Sequence, residues 1–106
     1  MNKVILMGRL TRDPEIRYTQ SGAPIANYTL AVDRPNRNND GQTADFIRCV
    51  CLFEKAAEFA ENYLHKGVKI IVTGRIQTGS YTNRDCQKVY TTDVIVENQE
   101  FAESKR

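Results

Sequence analysis

The opening of the chain constrains the fold more than any other segment. Residues 4–7 form an apolar run of strand-forming side chains, and Gly8 then interrupts this run. A glycine inside a strand pattern usually marks a bend, a bulge or the close approach of another backbone. Residues 11–14 have the composition of a turn, and residues 15–18 can form a second short strand. A first strand that bends in this way can pair with two neighbours, as a small closed barrel requires.

Four further strands and one helix are predicted after this opening. Apolar and β-branched runs between turn-forming residues predict the strands, which span residues 23–32, 45–53, 68–78 and 91–101. Residues 54–65 carry alanine and aromatic side chains at helical spacing, and this pattern predicts a helix that Lys66 and Gly67 end. We expect Phe59 and Tyr63 on this helix to pack against the core.

The order of these elements predicts the fold class. If the bent opening counts as one strand, there are five strands, with the helix between the third and the fourth. Residues 33–44 are predicted to form a long hairpin loop, and residues 80–90 a second hairpin in which Tyr81 and Tyr90 flank a turn at residues 83–85. This is the plan of an OB-fold, a mainly β, five-stranded Greek-key barrel that binds oligonucleotides or oligosaccharides on strands 2 and 3 and the neighbouring loops. Other small α+β folds share this order. We expect one domain over residues 1–106, with about residues 101–106 as a short polar tail.

Composition favours a soluble protein without catalytic or metal chemistry. No apolar run is long enough for a membrane span and no signal peptide is visible, so we expect a cytoplasmic protein. The one histidine, His65, lies at the predicted helix end, and no catalytic or phosphate-loop motif occurs, so we expect neither enzyme activity nor a cofactor. Cys49 and Cys51 share one strand face, where we expect reduced, buried thiols and no metal site.

Aromatic rings and positive charges are interleaved from residue 46 to residue 90. Phe46 lies close to Arg48, Phe53 lies close to Lys55, and Tyr81 lies in a hairpin that also contains cations. Single-stranded nucleic acid needs both groups, because bases stack on rings for about 1–3 kcal/mol each and phosphates pair with cations. Neither contact requires a particular base, so we expect sequence-tolerant binding. The alternative is that the rings belong to the core and the cations are merely solvated.

Strand alternation predicts which of these rings are free. Phe46 and Arg48 share one face of the predicted strand at residues 45–53, so we expect Phe46 on the ligand side. Phe53 lies on the opposite face and joins Phe46 only if a bulge shifts the register. Tyr81 lies in a hairpin where a core would be thin, and we expect it to be exposed.

Seven blocks of sequence follow one another from residue 2 to about residue 100: NKVILMGRLTRDPEIRYTQSG, TLAV, ADFIRCV, YLHKG, VTGRIQT, SYTN and VYTTDV. In these blocks the chain resembles the bacterial single-stranded DNA-binding proteins. The resemblance implies an OB-fold subunit, usually in a homotetramer, that wraps single-stranded DNA during replication, recombination and repair.

The resemblance also implies site residues. The stacking positions of the family fall on Phe46, Phe53 and Tyr81; many members have tryptophan there, whereas this chain has no tryptophan, and Phe46 and Tyr81 substitute. Another tryptophan position falls near Asn36, so we expect one stacking platform to be missing. The phosphate-contact positions fall on Lys3, Arg17, Arg37, Arg48, Lys55 and Lys66. Charge alone adds the candidates Arg9, Arg34, Arg75, Arg84 and Lys88.

The family usually continues into a flexible linker and an acidic tip that recruits replication and repair proteins. This sequence ends at Arg106, so we expect either a truncated chain or a short paralogue such as one carried by a phage or mobile element, and no recruitment through a tip. Two other interpretations remain open. One is a protein-interaction module that touches DNA weakly, and the other is an OB accessory domain that binds oligosaccharide or tRNA.

Overall fold

The computed structural model describes residues 1–35 and 43–102. Within these residues, the chain forms six β-strands and one α-helix. In chain order the elements are β1 (Val4–Leu10), β2 (Glu15–Tyr18), β3 (Pro24–Asp33), β4 (Ala44–Cys51), α1 (Glu54–Tyr63), β5 (Lys69–Thr82) and β6 (Lys88–Phe101).

Strand β1 closes the sheet into a barrel because it pairs with two neighbours. Its first part pairs with β5, from Val4 opposite Gly74 to Arg9 opposite Lys69, and its last two residues pair with β3. The closed ring runs β1-β5-β6-β4-β3 and back to β1, with β2 on the outer edge of β3. The pairs are antiparallel except for the parallel pair of β4 with β6. The predicted five-stranded OB-fold, with the helix between the third and fourth barrel strands, is therefore confirmed.

Two glycines lie where backbones approach too closely for a side chain. A Cβ atom on Gly8 would lie 2.5 Å from the carbonyl oxygen of Ala31, at the point where β1 passes from β5 to β3. A Cβ atom on Gly74 would overlap the carbonyl oxygen of Ile95, next to a register shift in the β5–β6 pair. The prediction of a close approach at Gly8 is therefore correct.

The β5–β6 hairpin is longer than predicted. Pairing continues from the barrel out to Thr82 opposite Lys88, so the strands extend beyond the predicted limits at residues 78 and 91, and the predicted turn at residues 83–85 is confirmed. The turn itself is held by Asn83, whose Oδ1 accepts hydrogen bonds from the backbone N–H groups of Asp85 and Gln87, each 3.0 Å long. The hairpin therefore extends as a paired arm beyond the barrel core.

The barrel interior is aliphatic and includes both strand cysteines. Leu30, Ile70 and Val72 are fully buried, and Cys49 and Cys51 are free, fully buried thiols, as predicted. Burial raises the pKa of each of these two thiols to about 12. The thiols therefore remain protonated and pack as small hydrophobes at neutral pH.

Helix α1 packs against the barrel through its small side chains. Ala57, Ala60 and Leu64 are buried, and the half-buried Phe59 ring stacks at a tilt on Phe101, with 5.5 Å between ring centroids. The prediction that Tyr63 is a core residue is wrong: Tyr63 is exposed, and its ring lies beside the buried face of the helix against Phe59, with 5.3 Å between ring centroids. No helix within residues 1–35 and 43–102 has the length and apolarity to cross a membrane.

Candidate nucleic-acid interface

The outward side of β4 carries an aromatic ring beside a cation. Phe46 and Arg48 are exposed, whereas Cys49 and Cys51 point into the barrel, so the predicted alternation holds along this strand. Phe46 lies opposite Ala31 of β3, and Ala31 in turn lies opposite Arg9 of β1. Phe46, Ala31 and Arg9 therefore form one row of neighbouring residues across β4, β3 and β1.

A second row of outward-facing residues connects β4 to the long β5–β6 hairpin. Arg48 lies beside Asp93 of β6, with 3.8 Å between Nε and Oδ1, and Asp93 lies opposite Gln77 of β5. Gln77 accepts a hydrogen bond of 3.0 Å from Arg75, and its strand face also includes Tyr81, four residues further along. The outward sides of β3, β4, β6 and β5 thus form one continuous surface, which we call the outward face.

Tyr81 is exposed at the far end of this surface, as predicted. It lies opposite Val89, whereas the neighbouring pair is Ser80 with Tyr90, so the two tyrosines point to opposite sides of the hairpin. Tyr90 is also exposed, and the Lys88 ammonium lies 5.5 Å from the centroid of its ring. Sequence reasoning did not select Tyr90, because the side of the hairpin on which it lies depends on the pairing register, which the structure shows.

Phe53 is exposed for a different reason from the predicted one. The β3–β4 register runs without a shift from Asp33 opposite Ala44 to Ala26 opposite Cys51, so there is no bulge. Strand β4 ends at Cys51, and Phe53 is already the N-cap of α1 with φ −86° and ψ 136°. Strand alternation no longer applies at this position. The bulge that strand alternation would have required is absent, and the ring is free because the chain has left the sheet.

Three arginines from separate elements line a groove of about 320 Å³ on the outward side of β2, β3 and β4. Arg12 comes from the β1–β2 turn, Arg17 from β2 and Arg48 from β4; we call this the arginine groove. Its lining also includes Glu15, whose Oε1 accepts a hydrogen bond of 2.6 Å from Arg17 Nε. Sequence reasoning missed Arg12 because this residue lies in a turn, where a solvated charge is the ordinary interpretation.

A second groove, of about 510 Å³, lies between the start of α1 and β6. Its lining includes Phe53, Lys55, Phe59 and Gln99, and we call it the Phe53 groove. The exposed Phe53 ring and the Lys55 side chain thus border one depression, with partly buried apolar surface beside them.

The other predicted cations are more dispersed. Lys3 lies before β1, at the end that pairs with Gly74, and Arg9 donates a hydrogen bond of 2.8 Å to the carbonyl of Gly67. Arg34 is paired with Asp45, with 2.8 Å between Nη2 and Oδ1. The remaining exposed cations lie in the α1–β5 turn and at the hairpin end, namely Lys66, Arg84 and Lys88. Arg37 lies outside the described residues.

The architecture defines an OB-fold barrel that presents aromatic rings and cations together on its outward surface. The chain belongs to the Single-strand binding protein family, whose profile matches residues 1–102, and the resemblance inferred from the sequence is thereby confirmed. It is 50% identical to Single-stranded DNA-binding protein 3 of Listeria innocua over all of this chain and 66% of that protein. It is 51% identical to the Single-stranded DNA-binding protein of Halalkalibacterium halodurans over 99% of this chain and 62% of that protein.

The chain therefore spans a little under two-thirds of the length of these curated relatives. A solved structure of Plasmodium falciparum SSB, in complex with single-stranded DNA, superposes with a TM-score of 0.86 at 24% identity, over 97% of this chain and 96% of that one. This superposition independently supports the OB-fold. Membership of this family also agrees with the prediction of a binding protein in place of an enzyme.

Proposed function

We propose that this protein binds single-stranded DNA without base specificity, and that it protects such strands during replication, recombination and repair. Bases stack on Phe46, Phe53 and Tyr81, and the cations beside these rings neutralise phosphates. The observation that carries the proposal is the continuous outward face, which joins Phe46 and Arg48 to Tyr81. Family membership and the names of the relatives support it.

The exposure of the rings favours an unpaired strand over a duplex. Phe46 is 65% exposed, Phe53 55% and Tyr81 56%, so each ring has a flat face open to solvent. The faces of bases inside a duplex are already stacked on one another, whereas those of a single strand are open to such rings. Each stacked base contributes about 1–3 kcal/mol, regardless of which base it is.

The cations supply the second part of the binding free energy. Arg9 and Arg48 lie in the strand rows that contain or adjoin Phe46, Arg12 and Arg17 extend the positive surface into the arginine groove, and Lys55 adjoins Phe53. Each contact between a cation and a phosphate releases condensed counterions, so affinity falls as the salt concentration rises. We also include Lys3, Arg34, Arg37, Lys66, Arg75, Arg84 and Lys88 among the proposed phosphate-binding residues.

We propose that the protein is a cytoplasmic homotetramer and that residues 1–106 form one DNA-binding domain. The outward side of β1 supports self-association, because Ile5 and Met7 are exposed there next to the half-buried Ile71 of β5. Several equivalent binding faces on one particle would raise the affinity for a long strand. Sedimentation that shows only monomer at micromolar protein would contradict this assembly.

A salt titration of binding to oligo-dT, beside a duplex of equal length, tests the proposed function. We expect much tighter binding to the single strand and a linear fall of log affinity with log salt concentration. Phe46→Ala and Tyr81→Ala each weaken binding, and the control Tyr18→Ala does not, because Tyr18 is an equally exposed ring whose hydroxyl is bonded to Glu61 of α1. Equal affinity for the duplex would instead indicate an unspecific polycation surface.

A further inference from the structure

Gln99 forms a buried link between the barrel and the start of α1. It is 9% exposed and is the one buried polar or charged residue apart from tyrosine and cysteine within residues 1–35 and 43–102. Its Oε1 accepts a hydrogen bond of 2.7 Å from the Tyr28 hydroxyl, and its Nε2 donates one of 3.0 Å to the carbonyl oxygen of Ala56. The amide therefore connects β3 to the first turn of the helix through β6.

The orientation of this amide is fixed from the barrel side. Its Oε1 faces two donors, the Tyr28 hydroxyl and the Cys51 thiol, whose sulfur lies 3.7 Å away. Burial raises the pKa of Tyr28 far above its ordinary value and that of Cys51 to about 12, so both groups keep their protons at neutral pH. An amide that offers its oxygen to these donors must direct its N–H₂ group to the helix.

The start of α1 has no side-chain cap of its own. The N-cap residue is Phe53, which makes no side-chain capping hydrogen bond, and the first helical bond runs over 2.9 Å from the Ala57 N–H to the Phe53 carbonyl. An N-cap without a polar side chain leaves the first turn less firmly held than usual. Ala56 lies in that turn, three residues after Phe53, so the Gln99 hydrogen bond fixes the turn that carries the ring.

We propose that Gln99 is a positioning residue for DNA binding: it holds the first turn of α1 against β6 and thereby sets the place and angle of the Phe53 ring. Gln99 and Phe53 line the same groove, so a shift of the turn changes the groove that the ring borders. Gln99 itself uses both ends of its amide inside the protein and reads no base. This inference rests on the proposed stacking role of Phe53.

A matched pair of variants isolates the hydrogen bond to the helix. Tyr28→Phe removes the hydroxyl that Gln99 accepts from and serves as the reference. Tyr28→Phe with Gln99→Met then removes the amide without leaving an orphaned hydroxyl, so the two proteins differ in the hydrogen bond to Ala56 and in the weaker contact with the Cys51 thiol. Urea unfolding identifies the folded forms, and Gln99→Leu replaces Gln99→Met if the longer side chain prevents folding.

We expect the double variant to bind oligo-dT about three- to tenfold more weakly than Tyr28→Phe, which is part of the affinity that one base stacked on Phe53 would contribute. Adding Phe53→Ala to both proteins should abolish the difference between them, whereas adding Tyr81→Ala should preserve it. If Gln99 had only a structural role, the two proteins would differ in affinity by the same factor with Phe53→Ala as with Tyr81→Ala. That result would overturn the inference. Equal affinities of the two starting proteins, or an unchanged affinity of Phe53→Ala alone, would overturn it as well.

The absence of tryptophan from the chain gives a second, direct measurement. A Phe53→Trp substitution places the only tryptophan of the chain at this position, where it can be excited apart from the tyrosines. Its emission maximum and its quenching by iodide in the free protein should differ between the Tyr28→Phe background and the double-variant background. Identical spectra would show that Gln99 does not position the ring. If the parent protein fails to bind oligo-dT at all, the proposed function fails, and the spectra still decide whether Gln99 sets the ring position.

Discussion

A carboxylate lies inside the arginine groove, and its removal should strengthen DNA binding. Glu15 accepts a hydrogen bond of 2.6 Å from Arg17, within a groove that Arg12 and Arg48 also line. A phosphate that approaches Arg17 must displace this carboxylate or remain at a distance from it. Glu15→Gln keeps the shape of the side chain and removes its charge, so it leaves the Arg17 guanidinium available to the DNA.

The size of the effect follows from counterion release. One additional phosphate contact with a single strand steepens the plot of log affinity against log salt by about 0.7, which at about 0.1 M salt is a gain of about fivefold in affinity. The stability of the fold should hardly change, because the side chains of Arg17 and Glu15 are 74% and 60% exposed. A surface ion pair of this kind contributes less than about 1 kcal/mol to the free energy of unfolding.

Fluorescence anisotropy with labelled oligo-dT at several salt concentrations gives both the affinity and the slope. Glu58→Gln is the matched control, because it makes the same change of net charge at an exposed position of α1. We expect only Glu15→Gln to steepen the salt dependence. An equal gain in both variants would show that net charge alone is responsible, and an unchanged slope would show that Arg17 does not contact a phosphate.

Three further outcomes are expected. Phe46→Ala should lower affinity for oligo-dT by about 1–3 kcal/mol of stacking free energy, measured beside Tyr18→Ala, and an unchanged affinity would exclude Phe46 from the binding face. Gly8→Ala should lower the free energy of unfolding by about 1–3 kcal/mol in urea titrations, because its Cβ would lie 2.5 Å from a carbonyl oxygen of β3; wild-type stability would contradict this. Folding raises the pKa of Cys49 and Cys51 from 9.0 to about 12. The stability that this shift contributes should be fully present below pH 9.0 and should fall between pH 9.0 and about 12, by about 1.4 kcal/mol per pH unit per thiol. A double Cys→Ala variant should show a shallower fall.

Local patterns predicted the elements that depend on local rules. The alternation of side chains along a strand placed Phe46 outward and Cys49 inward, and the interrupting glycine indicated the crossing of β1 from one neighbour to another. These predictions succeeded because pairing and close approach impose strict requirements on the residues at those positions.

The misses occurred where an element ends or where distant segments meet. Phe53 was assigned by strand parity although the strand had ended two residues earlier. Tyr63 was assigned to the core, although its ring contacts Phe59 and remains exposed at the last residue of the helix. Arg12 joins Arg17 and Arg48 only after β1, β2 and β4 have assembled. A single sequence contains no periodic signal for such a gathering of side chains, because it depends on the tertiary fold.

The exposed rings are best explained by function because the barrel does not need them for stability. Its interior is filled by inward-facing aliphatic side chains and by the small residues of α1, and burial of these side chains is what stabilises the fold. A phenylalanine at the outward position 46 remains largely in water, so it gains little from folding and adds to the apolar surface. Bases that stack on the exposed rings, next to the cations of the same face, would cover this apolar surface. Helix α1 contributes its buried side chains to the core cluster, and Phe46 on the outward side of β4 remains exposed.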